Sequence, residues 1–269
     1  MASRLTFSGR GHTYALDGTR VPGVTTVISL ATSKPGLVWA AAREAGLWCL
    51  DHLDQVDAMG REDWIQGARF AHRRKWDAAG RRGTFLHEAA VQLVNGEPLT
   101  PWDHETGEEW PEDVTRAAGQ LARFMDDFDV EPLACERPVY NENDLWAGTL
   151  DLAADIRMPK GGRRRLILDY KTGDSGVYPE HAMQQAAYRH ATHIQVLNPD
   201  GSPDDMPMIE TDGAAIVWVQ PDFYELRPVR ADAGLYDVFV HMLPVAAWAS
   251  EKAAQSVFEP LPIPPAEAS

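Results

Sequence analysis

The chain has 269 residues, 44% hydrophobic and 24% charged, the profile of a soluble globular protein and not of a disordered one. Its formal net charge of −15 counts against broad nucleic-acid binding, which favours a basic surface. It has no uncharged apolar run of about 18 residues, as a membrane span needs, and no signal-like start. The two cysteines, Cys49 and Cys135, form no paired motif, so a cytoplasmic protein with free thiols is expected.

Residues 5–16 alternate loosely and close on Asp17-Gly18, a favoured tight-turn pair, which predicts a small hairpin. Val21-Pro22-Gly23-Val24-Thr25-Thr26-Val27-Ile28 then leads to a helix starting near Pro35. Residues 37–54 and 61–95 carry apolar side chains at helical spacing, among them Trp39, Leu47, Leu50, Trp64, Phe70 and Trp76. The acidic segment 97–113 reads as a loop, and 111–128 as a helix with Leu121, Phe124 and Phe128 on one face.

After Pro132 the period changes to two. Residues 134–140, 145–156 and 165–171 predict three strands, with Asn141-Glu142-Asn143-Asp144 and Pro159-Lys160-Gly161-Gly162 as turns. An antiparallel meander is the simplest arrangement. A helix over 180–195, strands over 214–220 and 224–228, and a helix over 233–254 follow. The expected fold is α/β: an N-terminal hairpin and helical lobe (1–130), a β-β-β-α-β-β-α core around a mixed sheet flanked by helices (131–258), and a loose Pro-rich tail (259–269).

Charge is unevenly spread. Residues 61–90 hold seven basic side chains (Arg61, Arg69, Arg73, Arg74, Lys75, Arg81, Arg82) against four acids, and 160–165 hold four basic residues and no acid. Either run alone reads as a solvated face.

The densest chemistry is in the three-strand unit. Asp151 ends Gly148-Thr149-Leu150-Asp151 on the second strand, and Asp169-Tyr170-Lys171 closes the third. Alternation puts Asp169 and Lys171 on one face with Ile167, and Leu166, Leu168 and Tyr170 on the other. By itself, a carboxylate two residues from a lysine is an ordinary ion pair. Together with Asp151 it suits phosphodiester hydrolysis, which needs a divalent cation and an activated water. Two carboxylates from neighbouring strands can hold Mg²⁺, with Lys171 beside the attacking water or the phosphate. His87, in Arg82-Gly83-Thr84-Phe85-Leu86-His87-Glu88, is expected at the start of a helix running to about Val94. A lone helical histidine is usually a packing residue; as a ligand it favours Mn²⁺. Gln184 and Tyr188, four apart, share a helix face, where a phosphate or Lys171 is within their reach.

In this order, Gly-Thr-x-x-His (83–87), Gly-Thr-x-Asp (148–151), Asp-Tyr-Lys-Thr (169–172) and Gln-x-x-x-Tyr (184–188) resemble the RecB-like branch of the PD-(D/E)XK nucleases, over residues 80–230. That branch includes nuclease domains of recombination helicases and CRISPR-associated, phage and mitochondrial exonucleases. The resemblance implies a restriction-endonuclease-like core and Mg²⁺ or Mn²⁺ held by His87, Asp151, Asp169 and the Tyr170 carbonyl. It also implies Lys171 as the catalytic lysine and Gln184 and Tyr188 as its accessory pair. Glu136 matches an acidic first-strand position, expected to sit behind the ligands. Many members hold an iron–sulfur cluster on four cysteines; with two, this chain is expected to hold none.

A weaker match, His12-x-Tyr14 with Val21 to Thr26, favours a stand-alone exonuclease. The nine tryptophans read as packing anchors, with Trp39 or Trp146 as candidates for base stacking. The expected activity is exonuclease cleavage of single-stranded DNA ends in replication, recombination or repair, in a phage-like setting. Arg73, Arg74, Lys75, Arg81, Arg82, Thr84 and Thr172 are the expected DNA contacts, the basic ones forming with Arg69 one wall of a channel to His87. A structure-specific endonuclease and a non-cleaving DNA-binding recombination subunit are the alternatives.

Overall fold

The computed structural model describes residues 3–8, 13–102, 107–174 and 176–261. His12 and the end of the expected tail lie outside them. Strands β1 (Leu5–Ser8), β2 (Thr13–Leu16) and β3 (Thr19–Val21) form a small antiparallel sheet. Asp17 and Gly18, both at positive φ (50° and 77°), make the β2–β3 turn.

The main sheet has seven strands: β4 (Glu131–Asn141), β5 (Trp146–Arg157), β6 (Arg163–Lys171), β7 (His193–Leu197), β8 (Pro203–Pro207), β9 (Gly213–Val219) and β10 (Tyr224–Val229). Their spatial order is β10-β9-β6-β5-β4-β7-β8. The β4–β5–β6 meander is antiparallel as expected, and β9 runs parallel to β6, so the sheet is mixed.

Among the described residues seven α-helices accompany it: α1 (Val24–Ala31), α2 (Pro35–Asp51), α3 (Arg61–Arg69), α4 (Ala71–Val94), α5 (Glu112–Asp127), α6 (Pro179–Arg189) and α7 (Ala233–Ala247). Each sheet face buries its own apolar set. Val27 and Ile28 of α1, Ala187 of α6 and Phe239 of α7 close over Val139, Ala153, Ile167 and Ala214. Leu86 and Ala90 of α4 and Leu121 and Phe124 of α5 close over Leu152, Leu168, Tyr170 and Val217. The result is three layers, helices on both faces of one sheet. The division expected at residue 130 therefore separates no cores, because α1, α4 and α5 belong to the layers of the sheet that follows them. Trp48 of α2 lies edge-on to Trp64 of α3 and against Gly67, where a β-carbon would stand 2.3 Å from its ring.

Four local expectations change. Val24–Ala31 is a helix, although its valines, threonines and isoleucine favour a strand; burial of Val24, Val27 and Ile28 at helical spacing overrides that preference. The helical stretch 61–95 breaks at Phe70. The helix from Pro179 stops at Arg189, and the alternating run after it forms β7 and β8, so the order from β4 onward is β-β-β-α-β-β-β-β-α. The last helix ends at Ala247 and widens into a π turn, after Pro244, which cannot donate a helical hydrogen bond. Trp146 is fully buried, its indole N–H donating to Tyr236, so base stacking is closed to it; Trp39 is 76% exposed. No helix among the described residues is long and apolar enough to cross a membrane.

Candidate metal centre

Three neighbouring strands lose regularity at one level. The β5–β6 ladder stops at Leu152 opposite Leu168, two residues short of pairing through Leu150 and Tyr170. On β4, Glu136 adopts a left-handed φ of 49° and drops out of the β4–β5 ladder between Cys135 and Arg137. Such a conformation costs about 1–3 kcal/mol for a residue with a β-carbon. Leu150 and Leu152, two apart on β5, pack on opposite faces, so the alternation slips at Asp151.

Side chains fill what the backbone vacates. Asp151 Oδ2 accepts the Tyr170 N–H at 2.9 Å, in place of a ladder bond. A strand residue aims its N–H and C=O at the same neighbour, so the Tyr170 carbonyl faces this gap too. Where β6 turns away, the amino-terminal segment takes its place: Ala147 N–H donates to the Pro22 carbonyl at 3.1 Å, and Gly23 bridges to Ala147. Tyr14 Oη, 3.0 Å from Thr149 Oγ1, ties the small sheet to the same stretch.

Helix α4, seated on the sheet through Leu86 and Ala90, delivers His87. Its Nδ1 is 2.7 Å from Glu136 Oε1 and 3.8 Å from Asp151 Oδ2. One donor atom from each of these three residues lies within 4.8 Å of the others. Beside them Lys171 Nζ stands 2.5 Å from Asp169 Oδ2. Gln184 Nε2 donates to Asp169 Oδ1 at 3.0 Å and to Tyr188 Oη at 3.3 Å. Tyr188 in turn lies on Gly148, where a β-carbon would come 2.5 Å from its ring. That close approach is why the Gly-Thr-x-Asp stretch needs its glycine.

The carboxylates are held at a cost. Asp151 and Asp169 are 5% and 1% exposed. Burial raises the Asp151 carboxyl, and His87 and Lys171 only partly pull it back. Burial also lifts Asp169, to about 6, against the pull of Lys171. For His87 burial acts downward, but Asp151 and Glu136 outweigh it and bring the imidazole up to about 9. Lys171 follows the same pattern, raised by Asp169 and Asp151 against its burial. The acids thus exceed what the two cations satisfy. An imidazole nitrogen, clustered carboxylates and a backbone carbonyl facing one gap form a donor set that fits a divalent cation of the Mg²⁺ or Mn²⁺ kind.

The expected residues do converge, and the place of His87 in its helix changes. His87 lies deep inside the 24-residue α4 and not at a helix start, because Gly80 and Gly83 do not interrupt the helix. Glu136 contacts His87 directly and shares a cluster with Asp151, while Asp169 is taken up by Lys171 and Gln184. Nothing in the sequence marks the left-handed turn that swings Glu136 inward.

The basic residues do not make one wall. Successive helical residues point about 100° apart, so Arg73, Arg74 and Lys75 radiate from α4. Arg73 stacks on Phe70 at 4.3 Å, Lys75 meets Glu44 at 3.0 Å, and Arg82 lies between Asp113 (3.7 Å) and Asp174 (3.4 Å). Arg74 and Arg81 are exposed on α4. Thr84 Oγ1 donates back into its own helix, and the Thr172 carbonyl accepts from Gln220. A groove of about 660 Å³ runs between α2, α4 and the start of α6, lined by Lys34, Leu37, Arg43, Trp76 and Tyr178 among others. The clustered carboxylates are not in its lining. Neither a protein-family model nor a curated protein matches the chain.

Proposed function

We propose that this chain is a metal-dependent deoxyribonuclease of the PD-(D/E)XK type, with a restriction-endonuclease-like core, acting as an exonuclease on single-stranded DNA ends. One observation carries the reading: His87, Glu136, Asp151, Asp169 and Lys171 meet at the level where β6 leaves β5 and Glu136 drops out of the β4–β5 ladder. The four motifs, in their family order, add to it.

His87, Asp151 and Glu136, with Asp169 and the Tyr170 carbonyl on the same gap, are the residues that would hold Mg²⁺ or Mn²⁺. When bound, such a cation supplies positive charge to the phosphate oxygens and lowers the pKa of a bound water. Lys171, kept as an ammonium by Asp169 and Asp151, orients the attacking water or offsets charge growing on the phosphate. Gln184 fixes the Asp169 carboxylate, and Tyr188 fixes Gln184. An acidic chain can still hold DNA, because local basic and aromatic surface guides the strand while acids elsewhere discourage nonspecific contact.

The test uses end-labelled linear and circular single-stranded DNA with Mn²⁺, Mg²⁺ or EDTA. Loss of the linear form alone, in either metal and not in EDTA, is the expected result. Cutting of circles points to a structure-specific endonuclease instead, and binding without cutting in either metal points to a non-cleaving DNA-binding subunit.

A further inference from the structure

Helix α6 carries a third polar residue on the face that serves Asp169. Helical residues three and four apart are neighbours, so His181, Gln184 and Tyr188 line one side of α6. The first of them belongs to none of the recognised motifs.

Its ring is fixed at one nitrogen. His181 Nδ1 accepts the Tyr178 backbone N–H at 3.1 Å, and the His181 backbone N–H donates to the Tyr178 carbonyl at 3.0 Å, a reciprocal cap on α6. An imidazole whose Nδ1 accepts carries its proton on Nε2. Among the described residues Nε2 has no hydrogen-bond partner. Burial, then the Lys171 ammonium, lowers His181 below its ordinary value; Asp169 and Glu180 oppose this and Lys34 adds to it. The ring is therefore a neutral donor within the electrostatic reach of Lys171. Tyr178, edge-on to it at 5.7 Å, lines the groove between α2 and α4. His181 thus lies beside Tyr178 at the aromatic end of that groove, on the α6 face whose Gln184 holds Asp169.

We propose that His181 is a phosphate-contacting residue, its Nε2–H holding a non-bridging oxygen of the DNA strand where it passes from the groove at Tyr178 to Lys171. This rests on the nuclease reading and names a contact of the same site.

Two substitutions separate the contact from the cap. In H181Q the amide accepts the cap N–H and still offers an N–H to a phosphate; in H181E the carboxylate keeps the cap, since Glu and Gln both suit this position, but offers no donor. Thermal midpoints of both are expected to match wild type. Affinity for a fluorescent single-stranded oligonucleotide, read by anisotropy in EDTA, is expected to stay within about threefold in H181Q and to fall about 10–100-fold in H181E, the range for a hydrogen bond to a charged group. In Mn²⁺ the E variant is expected to raise KM more than it lowers kcat.

If the two variants behave alike, His181 only caps α6 and the proposal falls while the nuclease reading stands. E180Q measures the field of a carboxylate on the same turn; if it tightens binding as much as H181E weakens it, the effect is field alone and the contact is overturned. If wild type binds the strand but cuts nothing in either metal, the nuclease reading falls, and the difference between H181Q and H181E in EDTA still decides the contact.

Discussion

The two ends of the β5–β6 pair carry similar charges and treat them in opposite ways. At one end Asp155 faces Arg165 across the ladder with two hydrogen bonds of 2.9 and 3.0 Å, in partial contact with water. Arg165 holds that carboxyl below its usual range. At the other end the ladder has parted, Asp151 and Asp169 are buried, and burial pushes both upward despite Lys171 and His87. An acid beside a base is thus no sign of a site. What distinguishes the other end is an excess of buried acid that its own neighbours leave unneutralised, where the strand ladder has parted.

Breaking the parted end should have the largest effect. D151N removes a proposed ligand and is expected to reduce cleavage on the order of 1,000-fold, and K171A on the order of 100-fold or more, with single-strand binding in EDTA unchanged. A K171A protein that cuts as fast as wild type would sink the mechanism.

The pH dependence sharpens the contrast. His87 titrates near 9 in the folded chain, above its ordinary 6.5. Its contribution to stability in metal-free protein is therefore complete below about pH 6.5 and is lost as pH rises through about 9. A cation must displace the same proton, so Mn²⁺ affinity by calorimetry is expected to rise up to about tenfold per pH unit from 7 to 9, then level off. In H87A that slope should be absent; a slope that persists in H87A would mean another group is displaced.

Next comes G148A. It drives a methyl group into Tyr188 and should cost about 1–3 kcal/mol in urea unfolding, while weakening cleavage through Gln184 and Asp169. Equal cleavage at equal fraction folded would show that this chain of contacts does not reach the site. The smallest effect is expected from D155N at the paired end: cleavage within twofold of wild type and a thermal midpoint shifted by no more than about 2 °C. A large loss of activity there would erase the distinction between the two ends.

Much of the site was legible because strand periodicity is strict. Alternation alone brought Asp169 and Lys171 to one face and sent Leu168 and Tyr170 to the other, as found. The meander was legible from its turns. What escaped is what breaks periodicity. Glu136 reaches His87 through a backbone conformation its side chain disfavours, and Asp151 sits where the facing of β5 slips. The basic run around Arg73 is a wall only along the sequence, because a helix disperses neighbouring residues around its axis. Helix α1 was hidden by β-branched residues whose burial, not their propensity, decides their conformation. His181 was invisible for a different reason: its role depends on which ring nitrogen the helix start occupies.

The link between Pro22-Gly23 and Ala147 has a consequence for how the molecule keeps to itself. Strands that splay apart leave unpaired backbone, a template to which a second chain can add. Here residues 22 and 23 meet β5 at Ala147, beyond its last pairing with β6 at Leu152, so that stretch of margin is not offered to another copy of the chain.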